Sequence, residues 1–224
     1  MKNPRTRSVA SAALTLALVA TAVAGGWSVI TVENLPDYLV AGNSTTLTLM
    51  VRQHGRTLSD GARTVVTASN ETGRTSTADA KPTGKAGQYK AELSVPEAGL
   101  WTIKVDSDLG QAILRPIKAV RSDEPMPAPL SPVVRGENLF VAKGCLTCHV
   151  NKEVAGINLL PAGPELTGKK FAADYLKKFL ADPVKGRAKA NEWDNMPNLN
   201  LSKEEIDALE AFINRDRTAV AKKF

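Results

Sequence analysis

The sequence predicts two domains of different class: an all-β sandwich of immunoglobulin-like architecture, then an all-α module. Three observations carry that reading. Apolar and polar residues alternate from Trp27 to about Val120, a proline-rich run follows, and helical spacing begins after it. At 224 residues the chain is long enough for two small domains.

Ahead of both lies an address. Lys2, Arg5 and Arg7 precede an uncharged stretch, Val9 to Ala24, made mostly of Ala, Leu and Val. Ala22-Val23-Ala24 fits a small-x-small cleavage site, so residues 1–24 read as a secretory signal peptide. The alternative is a retained N-terminal anchor, which would leave the protein membrane-associated. Both place the remainder outside the cytoplasm, in a bacterial periplasm or its equivalent. Arg5 and Arg7 are not adjacent, so a twin-arginine signal is not supported.

The net charge of +6 divides unevenly. Residues 1–24 hold +3, residues 25–132 balance 11 basic against 11 acidic side chains, and residues 133–224 hold 15 against 12. No dense basic face results, which speaks against nucleic-acid binding.

The β-domain is expected over residues 25–121. Leu47, Leu49 and Val51 alternate with polar neighbours; so do Tyr89, Ala91, Leu93 and Val95, and Trp101, Ile103 and Val105. This period places one strand face on a core and the other in water. Turn pairs such as Gly42-Asn43, His54-Gly55, Asp60-Gly61 and Thr72-Gly73 punctuate it, giving about seven short strands. No cysteine pins the sheets. The stretch resembles the FixH/YtkA-like family of small secreted β-sandwich domains through Val51-Arg52-Gln53-His54-Gly55, Gly87-Gln88-Tyr89 and Pro96-Glu97-Ala98-Gly99-Leu100-Trp101. The resemblance implies an extracytoplasmic accessory domain and no reaction.

Residues 122–132 contain four prolines and are expected to form a semi-rigid extended linker. The helical module follows, over residues 133–224. A first helix is expected from Arg135 to Ala142, with Leu139 and Phe140 as apolar contacts. A second spans Ala172 to Leu180, with Tyr175, Leu176, Phe179 and Leu180 on one face, and ends at Asp182-Pro183. Ser202-Lys203-Glu204-Glu205 is a capping box that opens a terminal helix carrying Ile206, Leu209, Phe212 and Ile213.

Both cysteines lie in Cys145-Leu146-Thr147-Cys148-His149, the spacing of c-type haem attachment. Two thiols one helical turn apart reach the two vinyl groups of one porphyrin, and His149 then ligates the iron. Other readings fare worse. A thioredoxin-like redox pair needs a βαβ context and gives His149 no role. Zinc needs further ligands, and a disulfide across so short a loop stabilises little. For the sixth ligand, Met1 lies in the signal, Met50 in a strand and Met126 in the linker. Met196, in Asn195-Met196-Pro197 ahead of the terminal helix, is the candidate opposite His149. Aromatic residues are only 5% of the chain, and a haem would supply apolar bulk they lack.

Residues 134–216 resemble a monohaem class I cytochrome c domain. Gly136, Leu139 and Phe140 precede Lys143-Gly144-Cys145, Gly163-Pro164-Glu165-Leu166-Thr167-Gly168 follows the histidine, and Met196-Pro197 precedes the capped helix. The resemblance implies that the Pro164 carbonyl accepts a hydrogen bond from His149. It implies too that Gly136 and Phe140 pack against Phe212 where the first and last helices cross. Tyr175 and Trp193 are candidates to line the pocket.

One covalent haem c held by Cys145, Cys148, His149 and Met196 leaves no open iron position. The expectation is an electron carrier, not an enzyme. Loss of the Met196 bond would open the iron to catalysis. The expected partner is a redox protein or a membrane respiratory complex, and the chain's place as a subunit of an oxidoreductase stays open. Lys169, Lys170, Lys177, Lys178, Lys185, Arg187 and Lys189 form a basic band that could steer the haem edge to an acidic partner. The β-domain is expected to dock that partner; copper handling through Met50 and His54 is the alternative.

Overall fold

The computed structural model describes residues 27–156, 162–185 and 196–216. The signal segment, Trp193, Arg187 and Lys189 lie outside these residues.

Ten strands occur among the described residues: β1 (Ser28–Val32), β2 (Tyr38–Val40), β3 (Ser44–Gln53), β4 (Thr57–Leu58), β5 (Thr64–Asn70), β6 (Thr75–Pro82), β7 (Gln88–Ser94), β8 (Gly99–Ser107), β9 (Gly110–Ile113) and β10 (Ile117–Val120). They hydrogen-bond in the order β1-β3-β7-β6-β5-β8-β10-β2, with β4 on β3 and β9 on β8. The sheet curls because β6 serves both leaves. It pairs with β5 along most of its length and with β7 at Lys81 and Pro82. The three strands beyond the expected number are the short β2, β4 and β9. Segments of two to four residues carry too little sequence for a period-two signal.

The predicted alternation holds. Leu47, Leu49, Val51, Val66, Trp101, Ile103 and Val105 are fully buried between the leaves. In place of a disulfide, large side chains with satisfied polar tips tie the leaves. Trp101 Nε1 donates to the Glu97 carbonyl at 3.0 Å. Tyr89 Oη donates to Ser59 O at 2.8 Å and accepts from Ala62 N at 2.9 Å. A buried Trp or Tyr needs such a partner for its polar atom.

The helices are α1 (Pro132–Ala142), α2 (Cys145–Cys148), α3 (Ala173–Ala181) and α4 (Lys203–Ile213). Helix α1 starts at Pro132 instead of Arg135. Ser131 caps it by accepting from Val134 N, and proline is tolerated at the first helical position because its missing N–H has no partner there. The predicted capping box is present on α4: Ser202 Oγ accepts from Glu205 N at 3.2 Å, and Glu205 Oε2 accepts from Ser202 N at 3.1 Å. Helices α1 and α4 cross with Phe140 and Phe212 in contact, ring centroids 5.5 Å apart. At the crossing a Cβ on Gly136 would lie 1.9 Å from the Ala208 carbonyl oxygen, so only glycine admits the approach.

The linker does not hold the domains apart. Tyr38 Oη donates to Ala128 O at 2.8 Å, strapping the proline run to the β-domain. Arg135 on α1 pairs with Asp37 at 2.6 Å, and Arg115, between β9 and β10, pairs with Glu137 at 2.7 Å. The helical module therefore sits directly on the sandwich.

Gly136→Ala is expected to destabilise the protein by about 2 kcal/mol or more through overpacking against backbone. Denaturant unfolding followed by circular dichroism measures it. A loss below about 0.5 kcal/mol, typical of neutral surface changes, would contradict the close crossing.

Candidate haem-binding site

The site is built outward from one helical turn. Gly144, in a left-handed conformation (φ 69°), ends α1 and starts α2. Helix α2 is closed by His149 N donating to Cys145 O at 2.8 Å. His149 itself is extended (φ −107°, ψ 131°), so its ring leaves the turn. Gly163 N donates to Cys148 O at 2.9 Å, and Leu166 N to Val150 O at 2.8 Å, which hold the 162–166 loop alongside.

That pairing brings Pro164 to the imidazole, with His149 Nδ1 and Pro164 O 3.0 Å apart. A carbonyl oxygen can only accept, so Nδ1 carries the proton and Nε2 is the basic nitrogen. A Cβ on Gly163 would come within 2.5 Å of the ring, so glycine is what lets the imidazole lie against this backbone.

Cys145 is buried and Cys148 half-buried, and neither is in a disulfide. Burial pushes the Cys145 thiol up to about 12, with Cys148 beside it adding to the shift. Burial raises Cys148 as well. Among the described residues no group of three or more His, Cys, Asp or Glu could hold a metal ion. Met50 and His54 border different cavities.

Two adjoining cavities, of about 400 and 110 Å³, share Cys145, His149, Pro164 and Met196 in their walls. The smaller is apolar, with Phe140, Leu176, Phe179 and Leu209 behind it. Phe171, Tyr175 and Phe179 run along its rim, with Tyr175 stacked on Phe179 at 6.0 Å. Tyr175 thus borders the cavity and is 52% exposed, while Leu176 and Leu180 take the core positions of the same helix. Asn214 pins the start of this strip: its side chain accepts from Phe171 N at 2.8 Å and donates to Phe171 O at 3.0 Å. A haem fits this donor set, because an imidazole of fixed tautomer, a thioether and two free thiols border these adjoining cavities, the smaller of them apolar.

Sequence reasoning missed two contributors. Lys143 is 2% exposed, with Nζ donating to Glu33 O at 3.0 Å and pairing with Glu205 at 2.9 Å. Trp27, His54 and Arg56 of the β-domain also border the larger cavity. No local pattern announces contacts across so much sequence. The basic band is partly neutralised within the chain. Lys177 pairs with Asp207 at 2.8 Å, and Lys185 with Asp182 at 3.2 Å. Lys169, Lys170 and Lys178 make no ion pair with a described residue.

Residues 133–215 match the family model for cytochrome c, and residues 24–106 match that for YtkA-like proteins. The chain joins a YtkA-like domain to a cytochrome c domain. The cytochrome c domain gives it a haem-binding, electron-transfer role, with haem c as the covalent cofactor. No curated protein matches the chain. Among solved structures, the Lin-41 filamin domain aligns with 46% of this chain and 91% of its own at 13% identity. The TM-score of 0.32 is too low to establish a shared fold.

Lys143→Ala is expected to remove about 3 kcal/mol of stability, because it leaves a largely buried Glu205 carboxylate without its cation. Arg135→Ala, at a more exposed pair, is expected to lose no more than about 1 kcal/mol. Equal losses in denaturant unfolding would contradict a special role for Lys143.

Proposed function

We propose that the protein is an extracytoplasmic electron carrier with one haem c. Cys145 and Cys148 attach the haem, His149 Nε2 and Met196 Sδ bind its iron, and Pro164 O orients the histidine. When bound, the haem iron alternates between ferric and ferrous states and so carries one electron. The observation that carries the reading is the Nδ1-to-Pro164 contact beside the Cys145–Cys148 turn. It makes His149 a better donor at Nε2 and holds the ring still. Met196 borders the same two cavities as His149, which supports its thioether as the second residue that would hold the iron. The apolar wall of α1, α3 and α4 keeps water from the porphyrin face. Two side-chain ligands to the iron, His149 and Met196, would favour electron transfer over catalysis.

Secretion through residues 1–24 agrees with this chemistry, since haem c is attached outside the cytoplasm. The domain limits we assign are 25–121 for the β-domain, 122–132 for the linker and 133–224 for the cytochrome. The partner is a redox protein or a membrane respiratory complex, which the β-domain helps to dock. Lys169, Lys170 and Lys178 supply a modest positive field toward an acidic surface.

In protein matured by a haem-attachment system, haem staining on a denaturing gel is expected for the parent chain and lost when Cys145 and Cys148 are both replaced by alanine. Met196→Ala should keep the covalent haem but show a lower midpoint potential and an altered visible spectrum. Staining that survives loss of both cysteines would refute the attachment site. Reduction of an acidic protein acceptor should slow as salt rises; a rate indifferent to salt removes the steering role.

A further inference from the structure

The larger cavity has walls from both domains. Helical-module residues Cys148, His149 and Met196 border it on one side, and Trp27, His54 and Gly55 of the β-domain border it on the other. We infer that the β-domain supplies one wall of the haem crevice, with Trp27 as the wall and His54 as its rim, and so sets how much water reaches the haem. This rests on the haem reading above.

The wall is seated firmly. A Cβ on Gly144, the residue before Cys145, would lie 2.5 Å from Val29 Cγ1, so the start of α2 rests on β1. Lys143, the residue before that, reaches the β-domain through Glu33 O. The Arg135–Asp37 and Arg115–Glu137 pairs also join the helical module to the β-domain. A cavity held between such contacts keeps its shape.

The lining is also specific. His54 N donates to Trp27 O at 2.8 Å, and the two rings lie 5.9 Å apart at 59°. Gly55 packs beneath the indole, where an added Cβ would be 3.4 Å from Trp27 Cη2. His54 has φ 51°, in the left-handed region that glycine occupies at lower energy. The β3–β4 hairpin sets that conformation, because Arg56 N donates to Gln53 O at 3.0 Å and both central residues, His54 and Gly55, have positive φ; the turn places the imidazole beside the tryptophan at the cavity.

The physical consequence is a change in solvation. The ferric state carries one more positive charge than the ferrous state. Replacing water by an indole at the haem's surroundings therefore disfavours the ferric form and raises the potential. The same wall limits the access of small solutes to the cavity.

The test uses the full-length, haem-loaded chain carrying Trp27→Ala or His54→Gly. Glycine accepts the left-handed turn, so H54G removes the imidazole and keeps the backbone. In W27A the midpoint potential is expected to fall, and reduction by ascorbate, a small hydrophilic reductant, to quicken severalfold. H54G should show the same changes to a smaller degree, with haem content equal to the parent in both. A lower potential with faster ascorbate reduction in either variant supports the wall, and a shift in the opposite sense overturns it. Parent-like potential and ascorbate rate in both overturn it. A parent chain that carries no covalent haem would instead overturn the underlying haem reading, and the haem stain tells the two failures apart.

Discussion

A lysine ammonium buried between two domains is the contact to which the other parts of the fold are anchored. Lys143 is nearly inaccessible to water, so its charge must be met by protein groups. Glu205 meets it with a carboxylate and Glu33 with a backbone carbonyl. Each partner belongs to a different part of the fold. Glu205 is the capping-box residue of α4, Glu33 follows β1, and Lys143 itself caps α1 two residues before Cys145. One cation thus fixes the terminal helix, the edge of the sandwich and the cysteine turn relative to one another. A buried pair of this kind adds little net stability over an apolar replacement, but losing one partner is severe.

The crevice inherits that geometry. Its apolar side is made by helices that the α1–α4 crossing holds together, where Gly136 lets the backbones meet. Its polar side is the loop that carries Pro164 to His149. Its mouth borders the β-domain. The three regions differ chemically: one is apolar, one sets the tautomer and basicity of His149, and one brings Trp27 and His54 to the cavity. On the inference above, the β-domain would influence the redox centre by controlling what solvates it.

Much of this architecture is legible in the amino-acid sequence. The alternation of Leu47, Leu49 and Val51, the capping box at Ser202 and the Cys145–His149 pentapeptide each follow from neighbours within a few residues. Strand period, helix capping and haem attachment are short-range, so sequence carries them whole. The early start of α1 at Pro132 is local too, but the proline run masks the Ser131 cap. The short strands β2, β4 and β9 escape because their existence depends on a pairing partner and not on their own pattern.

The placement of His54 shows where that legibility stops. In sequence it is a turn residue 95 positions from His149, and distance along the chain argues for ignoring it. In space it borders the same cavity. Sequence by itself determined the two fold classes, the order of the domains and the residues suited to hold a haem, because each rests on local spacing and residue chemistry. Only the tertiary structure decided that the linker lies down, that Lys143 is buried and that the sandwich borders the cavity beside His149. Those outcomes depend on shape and charge complementarity between surfaces far apart in the chain, which no period or motif encodes.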